Sequence, residues 1–518
     1  MKRRPRRTRG GAAPIPHRGV LKIEVLPYAP LDDAAVDAIH ASALEILATT
    51  GIEMWNAEAR SIIKECGGRV NEATQRVWLD PGLVQQQISA APETIAMKAR
   101  DPNKNLTVGG QNIVFGAVGG SPFVSDLDKG RRYGTLDDLR RLNKLIHVSD
   151  VLALGGGHLI EPVDIPVFYS HLETTYCDIT LTDKVPRATA LGGTVARDIV
   201  TMMALVHAPA GATTDEAIAA LVTTPVVMAV ISVNSPLRYD GPMLEGLIEL
   251  ANHGQVPIIT PFIMIGAMSP ITLPAAIAQQ HAEVLAGIVL AQCVNPGCPV
   301  IYGGFITPLD MQSGAVPFGT PEATWTLAAG AQMARHVGLP YRSSGALTTS
   351  QLPDAQAAYE SLFNLWPAVM ARTNVILQAA GWLDGGLVAS FEKFMLDIEL
   401  IERLFAVYRA PRVDTTALAL DQIDAIGPGG HHLDSDYTRK RYRNAFFRST
   451  LSSLAPHETW RDEGGLDAAQ RANRAWKDKL AAYKPPPIDP GVVEALDAYK
   501  SRRIKQIMGA EGDTLSSR

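Results

Sequence analysis

Residues 338–356 contain side chains that could bind or orient a substrate. The run is Gly338-Leu-Pro-Tyr-Arg-Ser-Ser-Gly-Ala-Leu-Thr-Thr-Ser-Gln-Leu-Pro-Asp-Ala-Gln356, in which an arginine and several hydroxyl groups follow a short apolar strand at Leu339–Tyr341. Pro353-Asp354 is typical of a helix start, because the helix dipole favours a carboxylate in the first turn. In a ring of parallel strands, such loops meet at one mouth, so we expect Ser343 to Ser350 to line a substrate site.

Polar and aromatic side chains also follow the other predicted strands. Few of them titrate near neutral pH, and most are amides, hydroxyls, methionine or aromatic rings. This lining suits a bulky, weakly hydrated cation better than a substrate that needs a strong general base, because ring faces attract cations. For any single aromatic residue, packing between barrel and helices is the alternative. The candidate substrate-binding residues are Glu161, Asn234, Phe262, Met264, Tyr302, Asp310, Arg342, Leu347 and Gln378.

No catalytic residue is certain from the sequence. The chain lacks the phosphate-binding G-x-x-x-x-G-K-[ST], a strand-borne G-x-G-x-x-G, the G-x-S-x-G elbow and the zinc-binding H-E-x-x-H. Cys293 and Cys298 have no second thiol pair, and His281-Ala-Glu283 is only half of a deaminase signature, so we expect no bound metal. His158, after three glycines, could act as a ligand or as an acid or base, although a structural role is the commoner one.

The elements that must position these residues fall into four segments. We predict a disordered basic tail over residues 1–30, an N-terminal α+β cap over 31–111, an α/β (β/α)8 TIM barrel over 112–411 and a C-terminal helical extension over 412–518. A doubly wound open sheet is the alternative to the barrel. The predicted barrel strands are Ile113–Ala117, Val151–Leu154, Ile179–Thr182, Val226–Val233, Pro257–Met264, Val300–Gly303, Leu339–Ser343 and Asn374–Gln378.

Composition excludes several classes of protein. The 518 residues are 46% hydrophobic and 19% charged, which is ordinary for a globular enzyme with a large core, and the net charge of -5 argues against nucleic-acid binding. Four cysteines are too few for a disulfide scaffold and suit a reducing compartment. Uncharged stretches at 217–237 and 254–280 are broken by Pro and Thr, so we expect no membrane helix and a cytoplasmic protein. We also expect a homo-oligomer.

Five sets of short runs occur in a characteristic order across nearly the whole chain. They are Gly338-Leu-Pro to Pro353-Asp354-Ala-Gln, Asn234-Ser-Pro-Leu, Ala282-Glu-Val-Leu-Ala-Gly with Ala291-Gln292, Leu309-Asp-Met-Gln-Ser-Gly314, and Gly427-Pro-Gly-Gly-His431 followed by Trp460. Together they resemble the trimethylamine methyltransferase family of corrinoid-dependent (β/α)8 enzymes. The resemblance implies that a methyl group moves from a methylated amine to the Co(I) of a corrinoid (cobalamin) carried by a separate protein.

Two positions depart from the family pattern. The trimethylamine enzymes carry pyrrolysine in the loop after the seventh strand, where this chain has Leu347 or a neighbour, and Tyr437 precedes Thr438 where a histidine is expected. The proposed role of pyrrolysine is to capture an amine substrate, which requires a lone pair on the nitrogen of that substrate. A quaternary ammonium has no such lone pair. The resemblance therefore favours a quaternary amine such as glycine betaine as methyl donor. Arg342 or Arg238 could pair with a betaine carboxylate, and Asp310, Glu161 or Glu283 could face the ammonium.

Two other functions stay open from the sequence. A barrel lyase or hydrolase acting on an unrelated small molecule would show a pH–rate profile governed by His158 or Glu161. A non-catalytic osmolyte-binding protein would bind a betaine and release it unchanged.

Overall fold

The N-terminal part of the computed structural model is a small layer of short strands and helices. The structure describes residues 19–208, 211–409 and 411–516. Asp32, Asn56 and Asp80 each begin a helix by accepting a hydrogen bond from a first-turn N–H. The elements are β1 (Val20–Lys22), α1 (Asp33–Glu45), β2 (Ile52–Met54), α2 (Ala57–Glu65), β3 (Arg69–Asn71), β4 (Arg76–Trp78), α3 (Pro81–Ile88), β5 (Thr94–Met97) and β6 (Leu106–Gly109).

Strands and helices alternate through the central part of the chain. The first half contains β7 (Asn112–Phe115), β8 (Phe123–Asp126), β9 (Gly130–Tyr133), α4 (Leu136–His147), α5 (Ser170–Leu181), β10 (Arg187–Thr189), α6 (Gly193–His207), α7 (Thr214–Leu221), β11 (Met228–Val233), β12 (Arg238–Tyr239) and α8 (Gly241–Asn252). The second half contains β13 (Val256–Pro261), β14 (Ile263–Ile265), α9 (Leu273–Val294), β15 (Ile301–Gly303), β16 (Ile306–Pro308), α10 (Pro321–His336), β17 (Tyr341–Ser344), α11 (Ala355–Met370), β18 (Val375–Leu377), β19 (Trp382–Leu383), β20 (Val388–Ser390) and α12 (Phe391–Val407).

The C-terminal part is helical, as predicted. It contains α13 (Thr415–Leu418), α14 (Leu420–Ile426), α15 (Asp436–Arg441), α16 (His457–Asp462), α17 (Ala468–Ala481) and α18 (Pro490–Ser516). The last two of these helices return to the barrel: α17 packs against α12, and α18 packs against α5 and α6.

Eight parallel segments close into a barrel. Seven are regular strands that pair in the order β10, β11, β13, β15, β17, β18 and β7. The eighth, residues 153–155, closes the ring between β7 and β10, because Ala153 N donates to Phe115 O at 3.1 Å and Gly155 N donates to Val185 O at 2.8 Å. Each segment is followed by a helix, which gives the (β/α)8 arrangement. The predicted barrel is confirmed, and the closure excludes the open doubly wound sheet.

One predicted barrel strand is wrong and another is irregular. Ile179–Thr182, whose β-branched residues suggested a strand, lies at the end of α5, where Thr180 Oγ1 donates to Tyr176 O at 2.7 Å along the helix. The true third strand, β10, begins with a buried arginine and has no apolar run to reveal it. Val151–Leu154 lies at the second position of the ring, but only Leu154 forms a bridge, to Val185.

The predicted tail and cap are more closely joined to the barrel than we expected. Residues 1–18 of the predicted disordered tail lie outside the described residues, but β1, inside its 1–30 range, pairs antiparallel with β7. Strands β5 and β6 also continue the barrel sheet beyond β7. The sheet therefore crosses the predicted boundary at residue 111, and the domain limits stay predictions.

The longest apolar helix is a core helix. Among the described residues, α9 is the one helix long and apolar enough to cross a membrane, but 83% of its most apolar window is buried within the fold. It packs against α1, α3, α8 and α10. Its residues lie between the N-terminal layer and the barrel, in the largest apolar cluster of the molecule.

Candidate functional site

A cavity of about 480 Å³ occupies the mouth of the barrel. Its floor is made by buried strand residues, including Met228, Ile258 and Leu377. Its rim includes the exposed residues Gly120 and Leu387, from the loops that follow β7 and β19. The cavity lies at the carboxyl ends of the strands, where barrel enzymes bind their substrates. This volume suits a small organic molecule.

Aromatic rings form one wall of this cavity. The distances between ring centroids are 4.9 Å for Phe262 and Phe305, 5.9 Å for Phe305 and Phe318, and 5.7 Å for Phe318 and Trp382, whose rings are nearly perpendicular. All four residues line the cavity. Ring faces attract cations when the site is shielded from water, so this wall can hold a quaternary ammonium group.

Two buried arginines line the cavity beside these rings, and the guanidinium carbon of Arg342 lies 5.7 Å from the centroid of the Phe305 ring. Arg342 Nη2 donates to Gln378 Oε1 at 2.7 Å, whereas Nε and Nη1 of Arg342 have no hydrogen-bond partner. Arg187 donates to the carbonyls of Gly155 and Val118. Burial lowers the pKa of each guanidinium to about 10, so both are charged at neutral pH. Unpaired N–H groups on a buried cation favour an anionic ligand such as a carboxylate.

Asp178 partly balances one of these charges. Its carboxylate attracts Arg187 and accepts a hydrogen bond from Gly156 N at 2.7 Å. Burial raises the pKa of Asp178 to about 6. Arg342 donates to the neutral amide of Gln378, so its positive charge is less compensated than that of Arg187. A ligand carboxylate should therefore bind at Arg342.

A histidine–glutamate pair marks the cavity rim. His158 lines the cavity, and its Nε2 lies 2.5 Å from Glu161 Oε1. The hydrogen bond from His158 lowers the pKa of Glu161, which keeps this carboxylate charged near the mouth. The structure therefore places the predicted residue Glu161 beside the cavity but paired with His158.

The structure brings three of the predicted site residues into the cavity wall and leaves others outside it. Phe262, Arg342 and Gln378 line the cavity. Asn234 accepts from Asp240 N at 3.1 Å in the turn before α8, and Asp310 is half-buried and accepts from Gln312 N at 3.1 Å.

Met264 and Tyr302 also lie outside the cavity lining. Met264 is in β14, which pairs with β16 beyond the barrel strands. Tyr302 is fully buried, and its hydroxyl lies 3.0 Å from Nδ1 of His281 on α9. It therefore faces the layer between strands and helices.

Leu347 is buried behind the aromatic wall. It lines a gap of about 20 Å³ with Phe305 and Phe318, and its carbonyl accepts from Asn364 Nδ2 at 3.2 Å. The open space of the mouth lies on the other side of these rings. The alignment of this loop with the family placed Leu347 at the substrate, and the structure places it one layer further back.

Two of the proposed charged partners are engaged elsewhere. Arg238 lies 3.0 Å from Glu53 and stacks on Trp55 in the N-terminal layer. Glu283 is buried and accepts from Ser235 Oγ at 2.6 Å and from Leu237 N at 2.8 Å. Neither lines the cavity.

Sequence reasoning missed Arg187, Phe318 and Trp382. Arg187 lies on the strand that the apolar pattern did not reveal, and Phe318 lies in the long loop between β16 and α10. Trp382 follows β18 by five residues, so a wider search after each strand end would have found it. Among the described residues, no group of three His, Cys, Asp or Glu side chains could hold a metal ion.

Comparison with known proteins defines the class of this enzyme. The profile of the family described as "Trimethylamine methyltransferase (MTTB)" matches residues 1–508. Because the match covers nearly the whole chain, the protein belongs to the trimethylamine methyltransferase family.

Particular relatives and a solved structure show further similarity. The chain is 37% identical to "Glycine betaine methyltransferase" of Desulfitobacterium hafniense (strain Y51), covering 93% of this chain and 99% of that protein. It is 27% identical to "Proline betaine:corrinoid methyltransferase" of Eubacterium limosum, covering 90% of this chain and 95% of that protein. A dihydropteroate synthase structure from Coxiella burnetii is 13% identical, with a TM-score of 0.37, over 60% of this chain and 99% of that one.

Proposed function

We propose that this protein removes one methyl group from a carboxylate-bearing quaternary amine, with glycine betaine as the substrate that fits best. The observation that carries the proposal is the pairing, in one cavity, of an aromatic wall with the unpartnered guanidinium N–H groups of Arg342. A betaine is a zwitterion, so its carboxylate and its ammonium need opposite surroundings. The similarity to glycine betaine methyltransferase supports the same substrate.

The two ends of the substrate bind to different residues of the cavity. Its carboxylate accepts hydrogen bonds from Arg342, with the charge of Arg187 nearby, and its trimethylammonium lies against Phe262, Phe305, Phe318 and Trp382. A substrate without a carboxylate would bring a bare cation next to two guanidinium groups. The cavity therefore favours betaines over choline or trimethylamine.

The chain's own contribution to the reaction is position and exclusion of water. Holding the carboxylate at the arginines directs one N-methyl group toward the rim, and the apolar floor keeps water away from the reacting carbon. The C–N bond breaks with its electron pair on nitrogen, so glycine betaine leaves as the N,N-dimethylglycine anion, which has a neutral tertiary amine and keeps its carboxylate. No covalent enzyme intermediate and no protonation of the leaving group are required.

The methyl acceptor belongs to a partner. A reduced Co(I) corrinoid on a separate protein supplies the nucleophile. The Eubacterium limosum relative is described as a corrinoid methyltransferase, which supports this assignment. The exposed rim at Gly120 and Leu387 is the part of the cavity that such a partner can approach. The four cysteines are free thiols, which fits the cytoplasmic location that we include in the proposal.

A substrate panel tests the proposal. The purified protein is mixed with a reduced corrinoid protein and one of glycine betaine, proline betaine, choline or trimethylamine, and the corrinoid spectrum and the demethylated product are recorded. We expect turnover of betaines at least tenfold faster than of choline or trimethylamine. Binding without product would favour an osmolyte-binding protein, and conversion of a compound without any corrinoid would favour a lyase or hydrolase.

A further inference from the structure

Residues 411–450, here called the C-terminal arm, have defined helices but no core. None of these residues is buried. Asp414 and Ser435 begin α13 and α15 by accepting hydrogen bonds from Ala417 N and Thr438 N, and the Tyr437 hydroxyl donates to Thr416 O at 2.8 Å. The arm therefore holds its own shape, although the body of its chain buries none of its side chains.

The arm exposes large apolar side chains. Leu433 and Val413 are each 77% exposed, and Phe446 is 82% exposed. Leu418, Leu420 and Ile423 are exposed on the same segment. Such a concentration of exposed apolar side chains on one segment marks an interaction surface.

The body of the chain has a second unpartnered apolar surface on α11. Its exposed members, here called the α11 face, recur at helical spacing: Tyr359, Leu362, Phe363, Trp366 and Met370. A groove of about 630 Å³ runs beside this face between α11, α12 and α17, and Leu362, Leu396 and Leu400 line it. An outer barrel helix that faced only water would carry polar residues at these positions.

The two surfaces are close together and differ in charge. The arm rejoins the body at α12, where Ser449 Oγ donates to Glu399 Oε2 at 2.6 Å and Arg403 lies over the Phe447 ring at 5.4 Å. Helix α12 packs against α11. Glu360 is the one charged residue in the α11 sequence, whereas the sequence from Arg439 to Arg448 is strongly basic.

We propose that the occupant of the α11 face is the C-terminal arm of a second copy of this chain, in a reciprocal exchange. One two-fold arrangement covers both surfaces of both copies, because each subunit gives an arm and receives one. A partner that covered the α11 face alone would leave the apolar arm exposed to water. The attachment of the arm beside the α11 face places the two contacts of such a dimer next to each other.

Charge substitutions on each surface test this exchange. The arm variant carries Leu433→Glu and Phe446→Glu, the face variant carries Tyr359→Glu and Phe363→Glu, and the control carries Leu127→Glu and Leu191→Glu at exposed apolar positions elsewhere. Sedimentation velocity of the full chain at about 10 µM measures the subunit number, and circular dichroism verifies that each variant is folded.

Mixing the variants gives the decisive measurement. We expect the natural chain and the control to be dimers or larger, and the arm and face variants to be monomers when alone. An equimolar mixture of the two variants should form dimers, because the intact arm of one meets the intact face of the other. A monomeric natural chain, an arm variant that still associates, or a mixture that stays monomeric would each overturn the proposal.

Discussion

Buried charged side chains occur in two contrasting places in this barrel. On α12, Lys393 Nζ lies 2.6 Å from Asp397 Oδ2, and Gly381 N donates to the same carboxylate at 2.9 Å. At the mouth, Arg342 is just as buried, but two of its nitrogens have no partner. A charge that is fully paired inside the protein maintains the fold, whereas a charge left with free donors beside a cavity is available to a ligand.

The largest expected effect is on stability, at the paired charge. Lys393→Met leaves Asp397 buried without its cation, so we expect the free energy of unfolding to fall by about 3 to 5 kcal/mol. Chemical denaturation measures the loss. The double variant Lys393→Met with Asp397→Leu should recover most of it, because no lone charge remains. Equal losses in the single and double variants would show that packing, and not pairing, is what matters on α12.

The next effect is on activity, at the unpaired charge. Arg342→Gln should reduce kcat/KM for glycine betaine by about 30- to 1,000-fold, which corresponds to about 2 to 4 kcal/mol, because the substrate carboxylate loses its cation. The melting temperature should stay the same or rise, since a buried charge with free donors is removed. Arg238→Gln, at an exposed arginine paired with Glu53, is the matched control and should leave kcat/KM unchanged. Full activity of the Arg342 variant would contradict the carboxylate site.

A smaller effect, on substrate affinity, is expected at the aromatic wall. Phe262→Leu should weaken glycine betaine binding by about 5- to 30-fold, or about 1 to 2 kcal/mol, because one ring face of the cation site is lost. Calorimetry with 3,3-dimethylbutyrate, the uncharged isostere of the trimethylammonium end, provides the control. Its affinity should change much less than that of betaine. An equal loss of affinity for both ligands would show that Phe262 contributes only to the shape of the cavity and not to binding of the cation.

The smallest effect concerns the buried layer behind Tyr302. Burial keeps the pKa of His281 well below its ordinary value, with His40 and His336 nearby as further causes. His281 is thus neutral in the folded protein, whereas the unfolded chain takes up a proton below about pH 6.5. The contribution of neutral His281 to the free energy of unfolding is therefore fully present above that pH, and it is lost as the pH falls further.

We expect the melting temperature to decrease between pH 7.5 and 5.5, and His281→Gln should reduce the slope. Tyr302→Phe should lower stability by about 1 kcal/mol, through loss of the hydrogen bond to His281, and leave kcat/KM unchanged. A large loss of activity in the Tyr302 variant would instead support the predicted role of Tyr302 in substrate binding.

The sequence alone determined the kind of fold and the character of the site. Apolar runs alternating with amphipathic helices predicted the barrel, and the residues after the strands predicted an aromatic, weakly titrating pocket with Arg342, Phe262 and Gln378 in it. These features are local: a strand, the helix after it and the loop between them are contiguous in the chain. The family resemblance followed from the same contiguous runs.

Only the tertiary structure decided which of those side chains share the cavity. Four residues that the sequence predicted at the site lie outside the cavity. Asn234 and Asp310 stabilise turns, Tyr302 faces α9, and Leu347 packs behind Phe318. Arg187 enters the cavity because closing the ring makes β10 a barrel strand, whereas Trp382 enters it from β19, which pairs with β20 outside the ring. Closure and side-chain packing depend on contacts between residues far apart in the chain, and spacing along the sequence does not contain that information.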